Sequence, residues 1–236
     1  MTISFVSGVP LMLVEKERML VAGDLHIGIE YGFADRGFYF ADSAAKMSEE
    51  IMEAVHKSSA KGIILLGDVK DRLMNVTMDD ERSLRKFFGG LDGIEVRIAK
   101  GNHDGYLAKI LERLGIRASV ENEILLSGVA LLHGNTMPSN DAMKKDFVVT
   151  GHAHVAANVN GRDEKVWAVL KAGKGARRVY KEYNKKCKLV MAPAFNSMII
   201  GTAIGKESST NLPLVRNGVF DIKSLEIYDI WGNKLS

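Results

Sequence analysis

Short, wholly apolar runs punctuate the chain, several of them closed by a loop rich in glycine and in histidine or aspartate. Leu11–Val14 and Met19–Ala22 flank the charged Glu15-Lys16-Glu17-Arg18 and read as a hairpin. Over residues 41–60, Ala44, Met47, Ile51, Ala54 and Val55 fall on one stripe, which predicts an amphipathic helix. Ile63 to Leu66 follows as a fully apolar strand. Then come a helix over 79–88, a strand over 94–99, and a helix from Gly101-Asn102-His103-Asp104 to about residue 114. Strands are expected at 124–126, 129–132, 147–150, 166–170 and 189–192, with a final edge strand within 219–230. Early alternation with helices, then strands in quick succession, predicts layered sheets covered by helices.

Length and composition change little. The 236 residues fill one core and are short for two full domains. The single cysteine, Cys187, excludes an internal disulfide framework and a cysteine-built zinc site, and it suits a reducing compartment. Cytoplasm is therefore the expected location. No leader is expected at 1–14, and no membrane span at 190–204, where Pro193, Asn196 and Ser197 interrupt the apolar stretch. A formal charge of +3 is too mild to predict a nucleic-acid partner by itself. Residues 162–188 hold ten Lys or Arg against three acids. They read as a solvated hairpin or, alternatively, as a phosphate-steering surface with Trp167, Tyr180 and Tyr183 as its only aromatics.

Five of the six histidines share one context, an apolar run followed by a tight glycine loop; His56 lies instead within the first helix, as a surface residue. The loops hold Asp24 and His26, Asp68, Asn102 and His103, His133, and finally His152 and His154. If the strands are neighbours, their C-terminal ends bring these loops together, where α/β proteins place their sites. An extended backbone would put both members of Asp24-x-His26 and of His152-x-His154 on one side. The glycines at 23, 67, 101, 134 and 151 permit close approach and positive φ. Nitrogen and oxygen donors without sulfur suit Mn²⁺, Fe²⁺ or Zn²⁺; Mn²⁺ is the ion expected, with Ni²⁺ as a further alternative. Seven such side chains, one an aspartate able to bridge, are too many for one ion and suit two, roughly 3.5–4 Å apart.

Asp-x-His, Gly-Asp, Gly-Asn-His-Asp, His-Gly and Gly-His-x-His, in this order from Asp24 to His154, resemble the signature of the calcineurin-like metallophosphoesterase superfamily. Length and the Gly-Asp-Val-Lys-Asp block at 67–71 make the chain most similar to small archaeal phosphoesterases and to bacterial enzymes encoded beside DNA ligases. The resemblance implies an α+β fold in one domain, 1–236: a four-layer α/β/β/α sandwich with two central mixed sheets flanked by helices. It implies Asp24, His26 and His154 on a first ion, Asp68 bridging, and Asn102, His133 and His152 on a second. It further implies hydrolysis of phosphoesters, diesters before monoesters, by metal-bound hydroxide, with His103 facing the substrate. Asp104 would orient that imidazole or cap the next helix.

Four further residues are weaker candidates for the substrate pocket: Asp71 and Arg72 beside the bridging aspartate, and Phe195 and Asn196 in a late turn. The expected partners are a small nucleotide or nucleic acid as the phosphoester, no membrane, and a second copy in a homodimer on base rates. The competing class is a metal-binding interaction module of the same fold without catalysis. The intact ligand set and His103 speak against it.

Overall fold

Strands that are apolar at every position need partners on both faces, and the fold supplies them. The computed structural model describes residues 2–34, 36–74, 76–205 and 210–235. A first sheet holds β1 (Ile3–Val6), β2 (Leu11–Val14), β3 (Met19–Ala22), β4 (Gly62–Leu65), β5 (Glu95–Ala99) and β6 (Ser119–Glu121), in that order. Its first three strands are antiparallel, and β3 to β6 run parallel. Helices α1 (Ile29–Ala34), α2 (Ala44–Ser58), α3 (Met78–Gly90) and α4 (Leu107–Arg113) lie between these strands in sequence.

The second sheet contains β7 (Ile124–Leu125), β8 (Val129–Leu132), β9 (Phe147–Thr150), β10 (Val155–Val159), β11 (Arg162–Ala172), β12 (Lys188–Met191), β13 (Thr202–Ala203) and β14 (Phe220–Asp229). Its order is β13-β10-β11-β12-β9-β8-β7, with β14 paired to β11. A 3₁₀ turn (Ala142–Lys144), α5 (Ala176–Val179) and α6 (Pro213–Arg216) accompany it.

Period-two alternation sorts the side chains into layers. Leu11, Leu13, Leu20, Ala22, Ile63 and Leu65 face a core closed by α2, α3 and α4. Met12, Val14, Met19, Val21, Ile64 and Leu66 face the opposite way, against Leu131, Val149, Trp167 and Val190 of the second sheet. The outer face of that sheet packs on Ala142, Met143, Ala176 and Leu214. The result is the α+β sandwich with two central mixed sheets flanked by helices.

Several elements differ from expectation. Helix α3 begins one residue early because Thr77 and Asp80 form a reciprocal capping box. Strand β11 spans 162–172 rather than 166–170. Pairing with β10 and β14 extends its charged ends into the ladder. Short α1, β1, β6, β10 and β13 lack a periodic signal and are held by tertiary contacts.

Candidate metal centre

Parallel strands β3, β4 and β5 in one sheet and β8, β9 and β12 in the other deliver their C-terminal loops to one margin. Three contacts close that margin. Gly23 bridges Ala194, the Phe195 N–H donates to the Gly23 carbonyl (2.7 Å), and His133 Nδ1 lies 2.7 Å from the Leu66 carbonyl. Every histidine and aspartate predicted as a ligand lies here.

The backbone departs from the extended geometry expected. Asp24, His26, Asp68, His152 and His154 all take left-handed φ, between 42° and 65°. Such conformations cost roughly 1–2 kcal/mol per residue and cluster where a site over-determines them. Positive φ also falls on Gly67 and Gly134, whereas Gly151 supplies space. A Cβ at Gly151 would lie 2.6 Å from Asp24 Oδ2.

Two clusters of candidate ligands result, Asp24–His26–His154 and Asp68–His133–His152. In the first, the fully buried Asp24 accepts the His152 N–H on both oxygens (3.0 Å each) and has His154 Nε2 3.2 Å from Oδ1. Between the clusters, Asp68 Oδ2 lies 3.7 Å from His26 Nε2, 3.3 Å from His133 Nε2 and 4.0 Å from His103 Nε2. Asn102 Oδ1 is 3.0 Å from His133 Nε2. A third trio, His26–Asp71–His103, shares His26 with the first.

Charge within the cluster is strongly coupled. Burial pushes the Asp68 carboxyl up, but the hydrogen bond and charge of His133 and the His103 N–H hold it well below the usual range. Burial depresses His133 and His26, yet both end above the ordinary imidazole value. Asp68 and Asp24 raise the first; Asp71, with Asp68 and Asp24, raises the second. His152 is pushed down by burial and by the neighbouring His133.

These donors fit divalent cations. The Leu66 carbonyl assigns the His133 proton to Nδ1, leaving the Nε2 lone pair facing Asn102 Oδ1 and Asp68 Oδ2, two further acceptors. Likewise His26 Nδ1 is directed at Asp71 Oδ1 (3.1 Å), leaving Nε2 for the cluster. His26 Nε2 and His154 Nε2 are buried without a hydrogen bond among the described residues. Convergent nitrogen and oxygen atoms of this kind would be satisfied by a metal ion.

The remaining candidates divide. His103 borders the cluster: its N–H donates to Asp68 Oδ1 (2.9 Å) and its Nδ1 is anchored on the Asp71 carbonyl. Neither expected contact of Asp104 is seen. Its carboxylate accepts from Val69 N (3.1 Å) and Gly101 N (2.9 Å), tying two loops, while Tyr106 occupies the N-cap of α4. The His103 ring is oriented by Asp71 instead. Arg72 Nε approaches Asp80 Oδ2 at 3.5 Å. Phe195 and Asn196 do not line an open pocket. Phe195 is packed in the core beneath α2 to α4. Asn196 is fully buried, donating to the Leu25 carbonyl (2.7 Å).

The basic stretch is not gathered at the site. Lys171 pairs with Lys188 at the end of the sheet away from the cluster, and α5 follows that end. Trp167 and Tyr180 are buried and supply no platform. Lys165 is the exception. Its Nζ donates to the Ala194 (2.7 Å) and Asn196 (2.6 Å) carbonyls, and burial pushes it down to about 8. Lys165 and the buried Lys70 are partners of the site that carry no functional signal of their own in the sequence; Lys70 falls within the Gly-Asp-Val-Lys-Asp block and Lys165 within the basic stretch.

Among the described residues no helix is long and apolar enough to cross a membrane. No curated protein matches the sequence. A solved structure described as Pseudomonas putida nuclease MPE is similar at 15% identity, covering 98% of this chain and 100% of that one, with a TM-score of 0.63. That likeness is one of fold. Yfce, a phosphoesterase from E. coli, aligns over 92% of this chain and 96% of its own at 13% identity and a TM-score of 0.41. The profile of the calcineurin-like phosphoesterases matches residues 17–219, which contain all the loops with candidate ligands, and the chain belongs to that family.

Proposed function

We propose that this chain is a dinuclear metal-dependent phosphoesterase acting on phosphodiesters. The placement of Asp68 carries the reading: one carboxylate oxygen lies within 4.0 Å of three imidazoles that belong to different ligand loops. Asp24, His26 and His154 would hold one ion and Asn102, His133 and His152 the other, with Asp68 shared. When bound, such a pair lowers the pKa of water toward neutrality and offsets charge on phosphoryl oxygens. The nitrogen and oxygen donor set favours Mn²⁺, and the Gly67-to-Asp71 block favours the small archaeal and ligase-associated branch of the family.

The chain's own groups divide the remaining work. His103 keeps its Nδ1 proton on the Asp71 carbonyl and presents Nε2 toward Asp68; as the imidazolium it would give its Nε2 proton to the leaving oxygen and be left neutral. His26 is held by Asp71, so its Nε2 stays aimed at Asp24 and Asp68.

One observation favours single-stranded nucleic acid as the diester. Phe38, Tyr39 and Phe40, on the connection between α1 and α2, and Tyr106, three residues after His103, are exposed by 53–85%. Exposed aromatics serve single-strand binding as stacking platforms for bases, and the Pseudomonas putida structure is described as that of a nuclease. Tyr39→Ala should raise KM for a single-stranded oligonucleotide and leave that for bis-p-nitrophenyl phosphate unchanged.

Chelator-treated protein titrated with Mn²⁺ tests the main reading. It should take up two ions per chain and regain turnover of bis-p-nitrophenyl phosphate with the second. Folded protein that regains no turnover with Mn²⁺, Fe²⁺, Zn²⁺ or Ni²⁺ would replace the reading with that of an interaction module.

A further inference from the structure

We infer that Lys70 is the positioning residue for His103, a role that rests on the phosphoesterase reading above. Lys70 is only 1% exposed although it stands two residues from Asp68. Lysines are almost never buried to that degree unless their charge is matched. The acceptors around its Nζ are backbone carbonyls, those of Arg72, Leu73 (3.3 Å) and His103. An ammonium carries three N–H groups on one nitrogen, and here each has an acceptor.

Those acceptors lie on the two segments that set the imidazole. One belongs to His103 itself. The other two belong to residues 72 and 73, which continue the segment whose Asp71 carbonyl receives the ring Nδ1. Lys70 therefore fixes both the residue that carries the ring and the backbone that receives it. The His103 N–H on Asp68 Oδ1 (2.9 Å) supplies the remaining anchor, and together these place Nε2 4.0 Å from Asp68 Oδ2. Lys70→Met keeps an unbranched side chain, one atom shorter, and removes every side-chain donor. The ring then loses its register with the shared aspartate while all proposed metal ligands remain.

This role differs from simple support of the fold in what it does to the leaving group. A p-nitrophenolate departs without a proton, whereas an alkoxide needs one. A misplacement of about 1 Å at a catalytic group costs up to roughly 10²-fold. Lys70→Met should therefore lose about tenfold or more in kcat on a dinucleoside monophosphate beyond its loss on bis-p-nitrophenyl phosphate. In a His103→Ala background the substitution should add no further discrimination between the two esters. Should Lys70→Met fail to fold, Lys70→Arg keeps the charge but spreads its donors over a planar fork, and the same bias is expected.

A second readout is independent of turnover. The His103 Nδ1 proton should give a slowly exchanging downfield NMR resonance, absent in His103→Ala and lost in the Lys70 variants. Equal loss on both esters, or persistence of that resonance without Lys70, overturns the proposal. If wild-type protein shows no metal-restored turnover on either ester, the phosphoesterase reading falls, while the resonance still decides what Lys70 does.

Discussion

Asp104→Ala is the substitution whose cost the structure specifies most fully. The carboxylate is 1% exposed and accepts the Gly101 N–H at 2.9 Å and the Val69 N–H at 3.1 Å, joining the loop of Asp68 to that of Asn102 and His103. Alanine leaves both backbone donors buried and unpaired, at about 1–3 kcal/mol each. Some of that is returned, because burial and the nearby Asp68 already push the Asp104 carboxyl up, so its charge is held against resistance. The net loss is then about 2–4 kcal/mol, which for a chain of this size lowers Tm by roughly 5–15 °C. Asp104→Asn retains one acceptor and turns an amide donor toward the other N–H, so it should fall between wild type and alanine. Differential scanning calorimetry of apo-protein measures this without interference from metal. A drop below about 2 °C for alanine would show that the two donors find other partners, and would refute the tie between the loops.

Gly151→Ala places a Cβ 2.6 Å from Asp24 Oδ2, so the carboxylate must turn away from His154. Calorimetric titration should show affinity for one of two ions reduced by about 10-fold or more, and an unchanged isotherm would contradict the geometry. Asp68→Asn removes the shared negative charge and should weaken both ions together, whereas loss of a single ion would assign Asp68 to one cluster only. Burial pushes the Cys187 thiol from its ordinary value near 9 up to about 12, so the folded chain keeps a proton that the unfolded chain releases. That contribution is fully present below pH 9 and is lost between pH 9 and 12, with a slope of at most about 1.4 kcal/mol per pH unit. Urea midpoints should accordingly fall less steeply above pH 9 in Cys187→Ala than in wild type, and parallel curves would contradict it.

Strands buried on both faces are legible because no polar residue interrupts them; Ile63 to Leu66 is the clearest case. The candidate ligands stand out because each sits within a few residues of such a run. What escaped detection depends on contacts between distant segments. Asp104 looks like a helix cap until Val69, 35 residues earlier, proves to be its donor. Asn196 looks like a loop-tip polar residue, yet its amide reaches the Leu25 carbonyl 171 residues away, which buries it. Asp24-x-His26 satisfies the alternation expected of an extended strand, but both residues are left-handed, and neither has the glycine that usually signals positive φ. The burial of Lys70 is not legible because its partners, backbone carbonyls, have no sequence signature.

The central claim is that two metal ions share Asp68. Anomalous scattering from crystals grown with Mn²⁺ tests it most directly. Two peaks are predicted, one against Asp24, His26 and His154 and the other against Asn102, His133 and His152, with Asp68 between them. A single peak, or a peak within the His26–Asp71–His103 trio in place of either, would contradict the account.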